Sequence, residues 1–165
     1  YPGVPYFHGE ARLAGWKKVV DAVHTAGGKI APQLWHVGAM RRAGTLPEGD
    51  VPGFGPSGMN VPGKVNRQTM TQQDIDDVVN AFAQGAADAK ELGFDAVELH
   101  GAHGYLIDQF FWEGTNQRED AMVDHLKIVA ALPWKSLGQC ARLSALISRL
   151  FCVGLSGSSR ITLHV

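Results

Sequence analysis

The strongest constraint on the fold is an order of helix, strand and loop that occurs twice along the chain. The first predicted helix, residues 15–26, has tryptophan and valine side chains at helical spacing and stops at two consecutive glycines. The second begins at Thr71, where T-x-x-D resembles a capping box, and ends at Gly93. An apolar segment of strand length follows each helix, at residues 29–35 and 94–100. This alternation predicts an α/β fold with a parallel sheet and outer helices.

Polar and aromatic side chains occupy the carboxyl ends of both predicted strands, which is where parallel α/β folds place their chemistry. Gln33 and Trp35 end the first strand, in which Pro32 fits poorly because it has no N–H for a ladder. His100 ends the second strand. The Gly- and Pro-rich residues 38–68 are predicted to form one long loop, whose glycines alone are weak evidence for phosphate binding. We therefore expect the functional site at the strand ends.

Charge and composition argue against several classes of function. The 165 residues include 15 Lys and Arg and 16 Asp and Glu, for a net charge of −1 at pH 7. Balanced and scattered charge argues against a nucleic acid or a membrane surface as a partner. No apolar run is long enough to span a bilayer, and no signal peptide is apparent. Because Cys140 and Cys152 form neither a disulfide framework nor a metal knuckle, we expect a reducing, cytoplasmic setting.

The segment ELHGAHGY carries two imidazoles three residues apart and a phenol two residues later. His100 and His103 can converge on one small atom, either a metal ion or a carbonyl oxygen. Zinc would need a third protein ligand, and the sequence has neither an H-E-x-x-H pattern nor a cysteine near the pair. Either histidine could instead only satisfy loop carbonyls. Spacing alone leaves these three interpretations open.

Tyr105 would supply a proton if the histidines hold a carbonyl group. A phenol is protonated at neutral pH and can donate when negative charge develops beside it. The alternative is a packed aromatic ring whose hydroxyl is hydrogen-bonded for structural reasons. The spacing does not decide between these two roles.

Two segments resemble the Old Yellow Enzyme family of FMN-dependent NAD(P)H oxidoreductases: QLWHVG at residues 33–38 and GFDAVELHGAHGYLIDQFFWEGTNQR at residues 93–118. The resemblance covers about residues 1–120. It implies a partial (β/α)8 TIM barrel, with about two βα units in family register. It also implies FMN as cofactor, NAD(P)H as electron donor, and ene-reductase activity on a small unsaturated carbonyl compound.

The same resemblance implies a role for each of five residues. Gln33 matches the glutamine that hydrogen-bonds the flavin pyrimidine edge, and Trp35 matches a position that often lines the substrate pocket. His100 and His103 match the pair that binds the substrate carbonyl or the nicotinamide amide. Tyr105 matches the tyrosine that gives a proton to the carbon next to the carbonyl, while flavin N5 gives hydride to the carbon beyond. No metal is implied.

The resemblance ends near Asp120, where the family continues with the pattern D-x-Y-G-G and this chain does not. The pattern becomes possible if the tail is read in another frame, in which each new codon takes the last base of one codon and the first two bases of the next. The genetic code forces some residues of the shifted reading: the pair Met122–Val123 gives a glycine of this pattern, and the pair Phe151–Cys152 gives a leucine of a later family segment. We therefore predict a partial FMN-oxidoreductase barrel at residues 1–120 and an out-of-frame tail at residues 121–165, irregular or helical.

This division predicts weak function. A barrel of eight parallel strands cannot close from about two βα units, and the exposed sheet edges favour aggregation. We expect a truncated chain that binds FMN poorly and is weakly active or inactive. Two alternatives are a non-catalytic, unstable frameshifted product and a metal-dependent hydrolase that uses His100 and His103.

Overall fold

The structure is a computed structural model that describes residues 4–42, 44, 51–120 and 150–154. The chain divides into two compact units. Among the described residues, the sheet unit comprises residues 5–34, 80–99 and 150–154, and the loop unit comprises residues 4, 35–79 and 100–120.

The described chain contains both predicted helix–strand pairs, together with short elements that the sequence did not predict. The helices are α1 (Glu10–Thr25), α2 (Gln72–Leu92), α3 (Leu106–Phe111) and a 3-10 helix (Gly38–Met40). The strands are β1 (Gln33–Leu34), β2 (Phe54–Gly55), β3 (Met59–Val61), β4 (Lys64–Val65), β5 (Gln68–Thr69), β6 (Ala96–His100) and β7 (Leu150–Gly154). None of the helices described is both long and apolar enough to cross a membrane.

The sheet unit contains the predicted parallel pairing. β1 and β6 run parallel, with Gln33 opposite Glu98 and Leu34 opposite Leu99, and the sheet order is β1-β6-β7. β1 is shorter than the predicted strand over residues 29–35 and begins directly after Pro32, which has no N–H to donate. The carbonyl of Pro32 still accepts a hydrogen bond from the Glu98 N–H at 3.0 Å. Pairing thus extends beyond the residues in regular strand geometry.

β7 departs from the expectation of an irregular or helical tail, because residues 150–154 form a strand at the edge of this sheet. A strand at this position pairs its backbone with an edge that a two-stranded sheet would leave open. The prediction for residues 121–149 and 155–165 lies outside the described residues.

α1 begins five residues earlier than predicted, because its exposed first turn carries no apolar periodicity to mark it. Its end is confirmed at the two glycines. The N–H of Gly27 donates to the His24 carbonyl and that of Gly28 to the Val23 carbonyl, both at 2.9 Å, while Gly27 has φ 78°. This is a Schellman motif, in which glycine takes the left-handed position without a Cβ clash.

The beginning of α2 confirms the predicted capping box. The Thr71 N–H donates to Asp74 Oδ2 at 2.7 Å, and the Asp74 N–H donates to Thr71 Oγ1 at 3.2 Å. The side-chain and backbone hydrogen bonds from Thr71 lower the pKa of Asp74, because they favour its charged form. The helix ends before Gly93, whose φ of 88° again suits glycine.

Asp95 holds two loops of the sheet unit together just before β6. Its carboxylate accepts hydrogen bonds from Lys29 Nζ and His24 Nε2, both at 2.8 Å, and from the Ile30 N–H at 3.0 Å. Partial burial alone would raise the pKa of Asp95, but the bonds from Lys29, His24 and Ile30 and the charge of Lys29 lower it overall. This cluster fixes the chain entering β1 next to the chain entering β6.

The loop unit corrects the prediction that residues 38–68 form one irregular loop. Beside the 3-10 helix it contains two small sheets, β2 parallel to β5 and β3 antiparallel to β4. Strands of two or three residues are too short to show period-two alternation, so the sequence pattern missed them. Phe54 of β2 packs against a core to which α2 and α3 contribute, formed by Met70, Ile75, Leu106 and Phe110.

Candidate active site

Four of the five predicted site residues lie together in the loop unit as one cluster of rings. The His100 ring centroid lies 5.1 Å from that of His103 and 5.4 Å from that of Tyr105. Trp35 meets Tyr105 edge to face at 4.9 Å and lies 6.4 Å from His100. Two imidazoles, a phenol and an indole therefore share one small region, although Trp35 is 65 residues from His100 in sequence.

β6 and the turn after it produce this arrangement. His100 is the last residue of β6 and is 8% exposed, whereas His103 is exposed to solvent. His103 has φ 63° and is the one non-glycine residue with positive φ in the described part of the chain. Gly104 follows with φ 73°, and its N–H donates to Asp108 Oδ2 at 2.7 Å. Two successive left-handed residues turn the chain, so that Tyr105 comes back beside His100.

The left-handed conformation of His103 is uncommon for a residue other than glycine. A non-glycine residue in this region is strained, and such residues concentrate at binding and active sites. Glycine precedes and follows the Ala102–His103 pair, so small residues for the turn were available nearby.

His36 directly follows Trp35, and the sequence predicted no role for it. Its Nδ1 accepts a hydrogen bond from the Gly38 N–H at 3.0 Å, and its ring lies 5.3 Å from the ring of Phe54. Burial, followed by the charge of Arg41, lowers its pKa to about 4. The ring is therefore neutral at pH 7 and can accept, and we assign it a structural role in holding the segment after Trp35.

Gln33, the fifth predicted residue, belongs to the sheet unit. Its exposed side chain donates from Nε2 to Glu98 Oε1 at 2.6 Å, across the β1–β6 pair. The amide still has a second N–H and a carbonyl oxygen to offer. The pyrimidine edge of a flavin presents both donors and acceptors, so the chemistry of this side chain fits that group.

The side chains of the ring cluster suit a carbonyl oxygen better than a metal ion. Within the described ranges, no group of three or more His, Cys, Asp and Glu side chains is placed to hold a metal ion. A catalytic zinc commonly takes three protein ligands. Two imidazoles and a phenol instead offer N–H and O–H donors, which suit an oxygen that gains negative charge.

Comparison with known proteins identifies relatives for this arrangement. The NADH:flavin oxidoreductase / NADH oxidase family matches residues 1–123. The flavin oxidoreductase hxnT of Emericella nidulans is 42% identical over 130 residues, which cover 73% of this chain and 33% of that protein. 12-oxophytodienoate reductase 7 of Oryza sativa is 38% identical over 134 residues, with 73% and 34% covered. The chain thus spans about a third of the length of these relatives.

Solved structures agree in fold. Morphinone reductase in complex with tetrahydroNAD has a TM-score of 0.70 at 31% identity, covering 82% of this chain and 43% of that one. Old Yellow Enzyme from Pichia sp. has a TM-score of 0.73 at 30% identity, covering 84% and 40%. Since these are TIM-barrel enzymes, the described residues are a part of such a barrel, which confirms the predicted fold class. The chain belongs to the NADH:flavin oxidoreductase / NADH oxidase family, the FMN-dependent oxidoreductases that include the old yellow enzymes.

Proposed function

We propose that this protein is an FMN-dependent NAD(P)H oxidoreductase of the ene-reductase type, which reduces the activated C=C bond of a small unsaturated carbonyl compound. The single observation that carries the proposal is the cluster of His100, His103 and Tyr105, with ring centroids 5.1 and 5.4 Å from His100. Membership of an FMN oxidoreductase family supports the redox class. The names of two relatives, reductases of 12-oxophytodienoate and of morphinone, support an oxo compound as the substrate.

The histidine pair binds the carbonyl oxygen of the substrate. Ring N–H groups of His100 and His103 donate to that oxygen and stabilise the negative charge that develops on it during reduction. His100 is buried, so its donation acts in a medium of lower dielectric than water, where electrostatic stabilisation is stronger. The exposed His103 completes the clamp from the solvent side. The pair thereby polarises the conjugated C=C bond.

Tyr105 delivers the proton to the carbon next to the carbonyl. Its ring is half-buried between Trp35 and His100, at 4.9 and 5.4 Å, which holds the phenol close to the carbonyl site. Its O–H is a general acid that acts as negative charge reaches that carbon. Trp35 forms an apolar wall and keeps water from the reacting carbon.

Gln33 holds the cofactor by its pyrimidine edge. FMN, when bound, accepts electrons from NAD(P)H and supplies the hydride for the second carbon of the C=C bond. The bond between Gln33 Nε2 and Glu98 Oε1 orients the amide before the cofactor arrives. Pre-orientation lowers the entropic cost of binding.

The test compares Tyr105→Phe with Tyr6→Phe, an exposed tyrosine of the sheet unit, in the FMN-loaded chain. Rapid-mixing absorbance measures reduction of FMN by NADPH separately from its reoxidation by cyclohexenone. We expect Tyr105→Phe to slow reoxidation on the order of 100-fold, with a smaller effect on reduction, because only reoxidation needs the proton. Equal rates of reoxidation in the two variants would remove Tyr105 from the mechanism.

A second candidate is a non-catalytic member of the same family. One relative, from Epichloe festucae var. lolii, is 41% identical over 122 residues and is named a probable inactive reductase. This candidate predicts a chain that oxidises no NADPH with any enone even when FMN is supplied in excess. NADPH oxidation that depends on both FMN and enone would exclude it.

A further inference from the structure

We propose that Gln109 is a positioning residue, which sets the place of Tyr105 against Trp35 by joining the two loops that carry them. The structural part of this inference stands on the contacts of Gln109 alone. Its consequence for turnover rests on the proposed function. Gln109 lies on α3 and is 2% exposed, so its amide is removed from water and depends on protein partners.

Gln109 fixes the backbone on both sides of Tyr105 through its side chain and its own N–H. Its side-chain Nε2 donates to the Gly104 carbonyl at 2.6 Å, which belongs to the peptide group that precedes Tyr105. Its backbone N–H donates to the Tyr105 carbonyl at 2.8 Å. Any residue on the helix could make the second bond, but only a side-chain donor can make the first. The planes of both peptide groups determine the direction in which the phenol leaves the chain.

The other end of the amide reaches the loop of Trp35. Its Oε1 accepts a hydrogen bond from the Ala39 N–H at 3.0 Å, across 70 residues of sequence. A second bond joins the same loops, from the Leu106 N–H to the His36 carbonyl at 3.0 Å. The residues directly after Tyr105 and after Trp35 are therefore tied to each other, and the edge-to-face contact of the two rings at 4.9 Å is held by these ties.

Two glycines leave room for the Gln109 amide. A Cβ at Gly38 would lie 2.5 Å from Gln109 Oε1, and a Cβ at Gly55 would lie 2.9 Å from the same atom. Both distances are shorter than a carbon and an oxygen tolerate without a shift. The backbone of both glycines therefore packs closely against the Gln109 amide, where a side chain at either position would displace it.

An amide is required because one partner accepts and the other donates. The Gly104 carbonyl needs a donor, and the Ala39 N–H needs an acceptor. A carboxylate offers only acceptors and would place its oxygen against the Gly104 carbonyl. A protonated carboxyl group has one O–H donor and one carbonyl acceptor, and can restore both bonds. Burial raises the pKa of a carboxyl group, which brings this change of state into an accessible pH range.

The test uses Gln109→Glu and Gln109→Leu in the full chain without cofactor. NMR cross-relaxation between the Trp35 indole and the Tyr105 ring reports their contact directly. We expect the cross-peaks to be lost in Gln109→Leu at every pH, and in Gln109→Glu to be present at pH 5 and lost at pH 8. Gln84→Glu, at an exposed position on α2, is the matched control and should keep the cross-peaks at both pH values.

The titratable groups near Gln109 are the same in the wild-type chain and in Gln109→Glu, so their effects cancel when the two pH dependences are compared. They are His36 on the Gly38 N–H, Asp108 on the Gly104 N–H, Arg67 on the Ala39 carbonyl, and the rings of His100, His103 and Tyr105. A pH dependence in Gln109→Glu beyond that of the wild-type chain therefore belongs to the introduced carboxyl group. Cross-peaks unchanged at pH 8 in Gln109→Glu, or kept in Gln109→Leu, would overturn the inference.

Turnover gives a second and separable result. In the FMN-loaded chain, displacement of the phenol should slow reoxidation by enone on the order of 100-fold in Gln109→Leu, with little change in reduction by NADPH. If Tyr105→Phe leaves reoxidation unchanged, the proposed function fails while the NMR result still decides the positioning role. If Tyr105→Phe slows reoxidation while Gln109→Leu keeps both the cross-peaks and the wild-type rate, the positioning role of Gln109 fails and the proposed function stands.

Discussion

Gly38 is a position at which a single methyl group should damage the structure directly. It has φ 58°, and an added Cβ would meet three atoms: Gln109 Oε1 at 2.5 Å, Leu106 Cα at 2.9 Å and Leu106 Cβ at 3.0 Å. One of these is a backbone atom, so a side-chain rotation cannot relieve the clash. Gly63 has a similar φ of 72° but has nothing within 4 Å of an added Cβ. Gly63→Ala is therefore a matched control for Gly38→Ala.

The two substitutions share one cost and differ in another. An alanine in the left-handed region costs about 1–2 kcal/mol, and it reduces the entropy of the unfolded chain to the same extent at both positions. Overpacking of a tight interior adds about 1–3 kcal/mol, at Gly38 alone. The difference between the two free energies of unfolding, about 1–3 kcal/mol, isolates the steric cost.

Urea denaturation followed by circular dichroism measures this difference. With an m-value of about 2 kcal/mol per molar urea, a gap of about 2 kcal/mol moves the midpoint of Gly38→Ala about 1 M below that of Gly63→Ala. The Trp35–Tyr105 cross-peaks should weaken in the first variant only, because Gln109 must move away from the new methyl group. Equal midpoints for the two variants would refute the close approach of Gln109 to Gly38.

Three other measurements test separate parts of the chain. Asp95→Asn should lower the free energy of unfolding at pH 7, as measured by urea titration. Because the folded-state pKa of Asp95 is lowered, the difference in free energy from wild type should begin to close as the pH falls below about 4. A difference that does not depend on pH would contradict the ion cluster around Asp95. Thr71→Ala should cost about 1 kcal/mol through loss of the capping box, whereas Thr25→Ala, at the exposed end of α1, should cost less. Resequencing the gene across the codons for Glu119 to Val123 should reveal one extra base, which would restore the family reading frame. An unchanged sequence would instead mean that the gene itself encodes a truncated chain with a scrambled tail.

Much of the secondary structure could be predicted because its causes are local. The Thr71 and Asp74 bonds span three residues, and the Schellman bonds at Gly27 and Gly28 span three and five. Such interactions appear in the sequence as residue types at fixed spacing. The parallel pairing of β1 with β6 followed from the alternation of elements, since short connections through a helix leave few other topologies.

The candidate site was predicted in its residues but not in its geometry. Its members were identified by resemblance, because spacing alone left the roles of His100, His103 and Tyr105 open. Gln109 was missed altogether, since a polar residue on a short helix carries no sign of burial in its local pattern. The small sheets within residues 38–68 were missed for a related reason, because each strand is shorter than one detectable period.

The sequence by itself determined where α1 ends, where α2 begins and ends, and which chemical groups come to the ends of β1 and β6. These depend on backbone sterics and on hydrogen bonds between near neighbours, which are the same in any context. Only the tertiary structure decided that Trp35 meets Tyr105 and that Ala39 reaches Gln109, across 70 residues in each case. The free energy of such contacts comes from burial and close packing, which exist only after the distant segments have come together.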